Sequence, residues 1–220
     1  MKAKKTLFLL ILCGCLFFTS TAVAQKIVEA TPDSMAAIMG SLDGRTYSNQ
    51  VLKFELKLPD SGVILNQAEI DVYKNVGMEA MKNGNAQNDQ RIDNASKKEV
   101  AVLSYSMKPL GTVGNSILVI TTIKQPLGAT ASGVIAATVT GLKSTGKFEI
   151  TRSLTGISIG SLKADGVDVI FAIKPGVKVK ERLFVLIRSG YSISFALSGT
   201  DDAAIDSAQD LLNEIKFLTR

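Results

Sequence analysis

Any chemistry in this chain rests on carboxylates, hydroxyls and amines, because none of its 220 residues is a histidine. Its two cysteines, Cys13 and Cys15, both fall in an apolar amino-terminal run. Outside that run, Ser-His and Cys-His nucleophilic catalysis are excluded, as are the usual zinc ligand sets. The enzyme class that remains is a small hydrolase using carboxylates or a Ser-Lys pair. No Ser-x-x-Lys stands at the start of a helical pattern, and the paired acids have plainer roles: Asp165 and Asp168 flank a hairpin, while Asp201 and Asp202 open a helix. No catalytic residue, metal ligand or cofactor site is assigned on this basis.

Two clusters could instead bind. The most polar stretch, Asn85 to Lys98, offers side-chain oxygens from Asn85, Asn88, Asp89 and Asp93. Their spacing lacks the ordered alternation and terminal glutamate of a calcium loop, so a solvated loop or frayed helix is expected. Lys174, Lys178, Lys180 and Arg182 gather around a Pro175-Gly176 turn and could hold an anionic surface or ligand. The plainer role is to keep a hairpin end soluble. If the chain has a ligand-contacting surface, these loops are where it is expected, since loops on a rigid sheet carry function more often than the sheet.

Residues Met1 to Ala24 combine Lys2, Lys4 and Lys5 with the apolar run Leu7 to Phe18 and an Ala22-Val23-Ala24 exit, the pattern of a secretory signal peptide cut before Gln25. A rival reading is a lipoprotein signal, Leu12-Cys13-Gly14-Cys15, which would tether the chain to a membrane through an acylated Cys15. Cleavage at Gln25 removes both cysteines, so no disulfide is expected despite export. The leader holds three of the 25 basic residues and none of the 20 acidic ones, which leaves the mature chain at a net +2. That near balance gives no basic face for nucleic acid. The expected organisation is a signal peptide over 1–24, a lead-in over 25–46 and one domain over 47–220.

The elements that must position these groups follow from periodicity. Val51 to Pro59 alternates apolar and polar residues, which predicts a strand with one wet face. Helical spacing runs over Gln67 to Lys82 and, in smaller residues, Ala129 to Leu142. Val100 to Met107 and Ile117 to Lys124 read as two strands that pair, with weaker strands at Phe148 to Arg152 and Gly156 to Leu162. The strongest signal is a meander: Val167 to Lys174, Val177 to Arg188 and Tyr191 to Ser198, joined by Pro175-Gly176 and Ser189-Gly190. Short turns force antiparallel neighbours. The unbroken runs Val169 to Ile173 and Leu183 to Ile187 require both sheet faces to be buried. A last helix, Asp201 to Phe217 with Thr200 as N-cap, supplies one cover.

This order predicts an α+β fold, a mostly antiparallel sheet covered by helices on both faces. Tyr47-Ser48-Asn49 leading into Val51 to Pro59, Gly190-Tyr191 opening a strand, and Leu211 to Phe217 closing the chain resemble the PsbP-like family, the α/β/α sandwich shared with the Ran-binding import factor type. The resemblance spans most of the mature chain. No glycine precedes Phe54, no tryptophan follows Pro59, and no histidine matches the metal sites proposed in photosynthetic members, so no photosystem role is carried over. The resemblance implies a non-enzymatic binding or assembly module, here exported to a bacterial periplasm or envelope, whose partner is a protein or envelope component. A lipid-anchored structural protein of the envelope is the alternative, with membrane contact only through Cys15.

Overall fold

The computed structural model describes residues 37–174 and 177–219, without the side chains of Val76, Ala80, Ile173 and Lys174. The expected signal peptide over 1–24 with Cys13 and Cys15, most of the expected lead-in and the expected turn at Pro175-Gly176 lie outside the described residues. The fold is mixed α+β with two antiparallel sheets. The larger has seven strands, in the order β4 (Val63–Ile64), β5 (Val100–Ser106), β6 (Ser116–Lys124), β10 (Tyr191–Gly199), β9 (Val177–Arg188), β8 (Leu162–Lys174) and β7 (Phe148–Ile159). The meander read from sequence is its centre. Ser189 and Gly190 turn between β9 and β10 with φ of 52° and 79°, the doubly positive geometry a two-residue hairpin needs.

Four findings correct the sequence reading. The lead-in is partly structured: β1 (Ser41–Asp43) and β2 (Thr46–Asn49) pair with β3 (Phe54–Lys57) and β11 (Lys216–Phe217) in a separate four-stranded sheet. The Val51 to Pro59 strand shortens to β3, because Lys53 adopts φ 58° and Asn49 Oδ1 accepts from the backbone N–H groups of Val51 and Leu52, folding that stretch into a turn. The two weak strands before the meander are one, β7, in which two register shifts against β8 absorb the irregular middle. The final helix stops early and starts one residue later at its cap: Asp201, not Thr200, accepts from Ala204 N at 2.8 Å, and the residues after Glu214 form β11.

Helices α1 (Gln67–Met81), α2 (Ala86–Ser96), α3 (Ala131–Thr145) and α4 (Asp202–Asn213) complete the fold, and residues 37–39 are also helical. Neighbouring residues of β9 sort into two cores, as strand alternation demands. Phe184 and Leu186 pack with Ile205, Ala208, Leu211 and Leu212 of α4, with Phe54 and Leu56 of the small sheet and with Leu52 and Leu58 on either side of β3. Leu183 and Val185 pack with Val134, Ile135 and Leu142 of α3 and with Met81 and Ile92 of the α1–α2 hairpin. A third cluster joins Ile70 and Tyr73 of α1 to Ile117 and Val119 of β6.

Candidate functional site

The strand register brings together residues that the sequence keeps apart. Arg152 on β7 pairs with Asp168 on β8, and Asp168 pairs with Arg182 on β9, so three charged side chains form one row across three strands. Two residues along β9 from Arg182, on the same face, stands Lys180. Facing this row is α4, whose spacing of four residues sets Asp202, Asp206 and Asp210 on one side of the helix.

Arg182 is the hub. Its Nε and Nη2 donate to Asp168 Oδ1 and Oδ2 at 2.9 and 3.2 Å, and its Nη1 donates to Asp206 Oδ1 and Gln209 Oε1, both at 2.7 Å. The Arg182 side chain is only 10% exposed, so this fork of charge-assisted bonds is what makes its burial tolerable. Burial works against the charge, yet hydrogen bonds and charge from Asp168 and Asp206 together hold the guanidinium pKa above its ordinary value. Arg152 reaches Asp168 Oδ2 from the other side at 2.7 Å through Nη2 and 3.0 Å through Nε. Lys180 Nζ donates to Asp202 Oδ2 at 2.6 Å, and that bond lowers the Asp202 carboxyl below its usual value.

Between this row and α4 lies an open groove of about 730 Å³, walled by Asp202, Asp206 and Asp210 and floored in part by Leu154 and Ile157 of β7. Phe184 reaches it across Gly166, where a Cβ would stand 2.8 Å from the ring and 2.4 Å from the Leu183 carbonyl oxygen. Glycine is required there by close approach. Each acid on the wall keeps acceptor capacity: Asp202 and Asp206 use one oxygen each on their cations, and Asp210 forms no ion pair among the described residues.

The sequence-selected residues divide. Asn85, Asn88, Asp89 and Asp93 lie on or at the start of α2, so of the two expected forms, solvated loop or frayed helix, the stretch is helical. Asn85 Oδ1 accepts from Asn88 N at 3.1 Å as its N-cap, Asp89 Oδ1 accepts from Asn83 N at 3.1 Å, and Asp93 pairs with Lys82 at 3.0 Å. Their polarity serves caps and surface pairs. Lys178 is exposed on β9, and the Lys174 side chain lies outside the described residues. Lys180 and Arg182 leave the hairpin-end role for the groove. Asp168, read as a hairpin acid, sits mid-strand beneath two arginines, while Asp165 Oδ1 accepts from Gly156 N at 3.1 Å. Arg152, Asp206, Gln209 and Asp210 were not selected. The acids at intervals of four on one helix were a legible signal; the cross-strand partners were not.

No protein-family model matches the chain, and no curated protein does. Solved structures align with it at low identity. A crystal structure from Bacteroides thetaiotaomicron VPI-5482 shares 10% identity over 81% of this chain with a TM-score of 0.43, and this chain spans 50% of that protein. Cyanobacterial PsbP from Synechocystis sp. PCC 6803 shares 14% identity over 81% of this chain and 98% of its own length, with a TM-score of 0.47. LpqN of Mycobacterium tuberculosis, described as involved in cell envelope biogenesis, shares 11% identity over 76% of this chain and 83% of its own, with a TM-score of 0.43.

Proposed function

We propose that this protein is an exported, non-enzymatic binding module of the bacterial periplasm or envelope, and that its recognition face is the groove between β7–β9 and α4. The proposal takes residues 1–24 as a cleaved leader and the large sheet as a PsbP-like sandwich, with α3 on one face and α4 with the small sheet on the other. The observation that carries it is the state of the groove's charges. Arg182 pairs with Asp168 and Asp206, Arg152 with Asp168 and Lys180 with Asp202, while the wall keeps spare carboxylate oxygens. A carboxylate hydrolase needs an acid that holds its proton near neutrality. Asp202 is shifted the opposite way, and Glu99, whose carboxyl burial raises toward neutrality, does not line the groove.

The lining sets four aspartates against two arginines, over partly apolar ground. Such a face fits a protein segment carrying lysine or arginine beside apolar residues. Two measurements test the reading. The mass of the mature chain should match a start at Gln25; acylated Cys15 would move the protein to the lipid-anchored alternative. A photocrosslinking residue at Thr151, exposed on the groove, should give a discrete adduct in cells, and one at the fully exposed Leu127 should not. Equal yields at both positions, or none at Thr151, would remove the groove from the argument.

A further inference from the structure

Away from the groove, Glu99 occupies the junction where α2 ends and β5 begins, and it is 7% exposed. Its Oε1 is buried with no hydrogen-bond partner. Ser104 Oγ and Ser194 Oγ on the same sheet are also buried and without partners, and Ser194 stands directly opposite Thr121 in the β6–β10 register. A buried acceptor without a donor is costly, and more so if it is charged. The groups that act on the carboxyl are Lys74 from α1 and the Thr121 hydroxyl from β6. Lys74 is the one charged group among them, and its ammonium donates to the Ser96 carbonyl at 2.7 Å and the Glu99 carbonyl at 3.5 Å. Lys97 and Lys98, next along the chain, are exposed.

We propose that Glu99 is a proton-controlled latch for the α1–α2 hairpin: with its proton the hairpin stays seated on the sheet, and without it the hairpin loosens and uncovers Ile117 and Val119. The hairpin is suited to this because its hold is local. Ile70 and Tyr73 meet Ile117 and Val119, Met81 and Ile92 join the α3 core, and Lys74 is the polar stitch between α1 and the end of α2. Burial raises the Glu99 carboxyl to about 7, with Thr121 and Lys74 pulling it back only in part. Lys74 cannot turn fully to a bare carboxylate without releasing the carbonyl it caps, so ionisation is relieved by letting water in.

Hydrogen exchange on the full mature protein at pH 6 and pH 8 tests this, with β9 and β10 as the internal reference that cancels the intrinsic pH effect. Protection of residues 67–99 relative to that reference should fall about tenfold between the two conditions in the wild type and stay level in Glu99→Gln, whose amide mimics the protonated acid. An unchanged wild-type hairpin, or an equal fall in E99Q, overturns the latch. Should E99Q fail to fold, Lys74→Gln decides: removing the positive charge should move the midpoint of the fall to higher pH, and a midpoint that stays or moves lower overturns the proposal.

Discussion

The molecule holds charge in two ways. At the groove, Arg182 is nearly as buried as Glu99, yet it is forked onto Asp168 and reaches Asp206 and Gln209 from α4. At the hairpin junction, Glu99 has one oxygen with no partner and a lysine committed to carbonyls. Depth of burial is similar and the outcome opposite. A buried charge is kept when the topology delivers fixed counter-charges from two directions, and it is surrendered to a proton when it does not. The first arrangement builds a permanent surface, and the second a group that responds to pH near neutrality.

Breaking the groove hub should have the largest effect. Arg182→Ala leaves Asp168 and Asp206 without their shared partner, and it should cost about 3 kcal/mol, or roughly 6–12 °C in Tm by calorimetry. A loss within error would mean that Arg152 alone satisfies Asp168. Next is the pH dependence of stability. The folded state keeps the Glu99 proton up to about 7, whereas the unfolded chain gives it up near 4.5. The contribution is therefore fully present below about 4.5 and lost as pH rises through about 7, so the wild type should weaken across that window. Chemical denaturation should show Glu99→Gln without that slope and more stable than the wild type at pH 8 by on the order of 2 kcal/mol.

Smaller changes sharpen the same contrast at the groove's rim. Lys180→Ala removes a partly exposed pair with Asp202 and should cost less than about 1 kcal/mol, an effect that shrinks further in high salt. Because Asp202 is lowered by that bond, its share of stability is present above pH 3.8 and disappears as pH falls below it, opposite in sign to Glu99. Asp210→Asn should leave stability within about 0.5 kcal/mol while reducing the Thr151 adduct several-fold. An adduct unchanged by D210N would mean that the acidic wall plays no part in recognition.

Much of this was legible in the residues. The absence of histidine removed whole reaction classes, and the unbroken runs Val169 to Ile173 and Leu183 to Ile187 required two buried faces, which β9 shows by dividing its neighbours between two cores. Ser189-Gly190 announced its hairpin, and Ile205, Ala208, Leu211 and Leu212 announced the inner face of α4. The helix within Asn85 to Lys98 was half legible, because its asparagines and aspartates have weak helix propensity and much of its hold, the buried Ile92 and Ser96 and the pair of Asp93 with Lys82, lies in contacts outside the segment.

The sequence alone determined the type of the strongly periodic elements, the Ser189-Gly190 turn and the chemistry excluded, since these depend on backbone preference and on periods of two and 3.6 residues within one segment. Only the tertiary structure decided the row Arg152, Asp168, Arg182 and its pairing with α4. Residues 14 to 30 positions apart meet there through strand register and bulges, and register is settled by the summed packing of both sheet faces. It also decided the seclusion of Glu99, an acid just past a helix end that is buried, with Lys74 of α1 reaching its backbone carbonyl. Composition supplies the charges; their partners, and hence their protonation, come from contacts that no local pattern encodes.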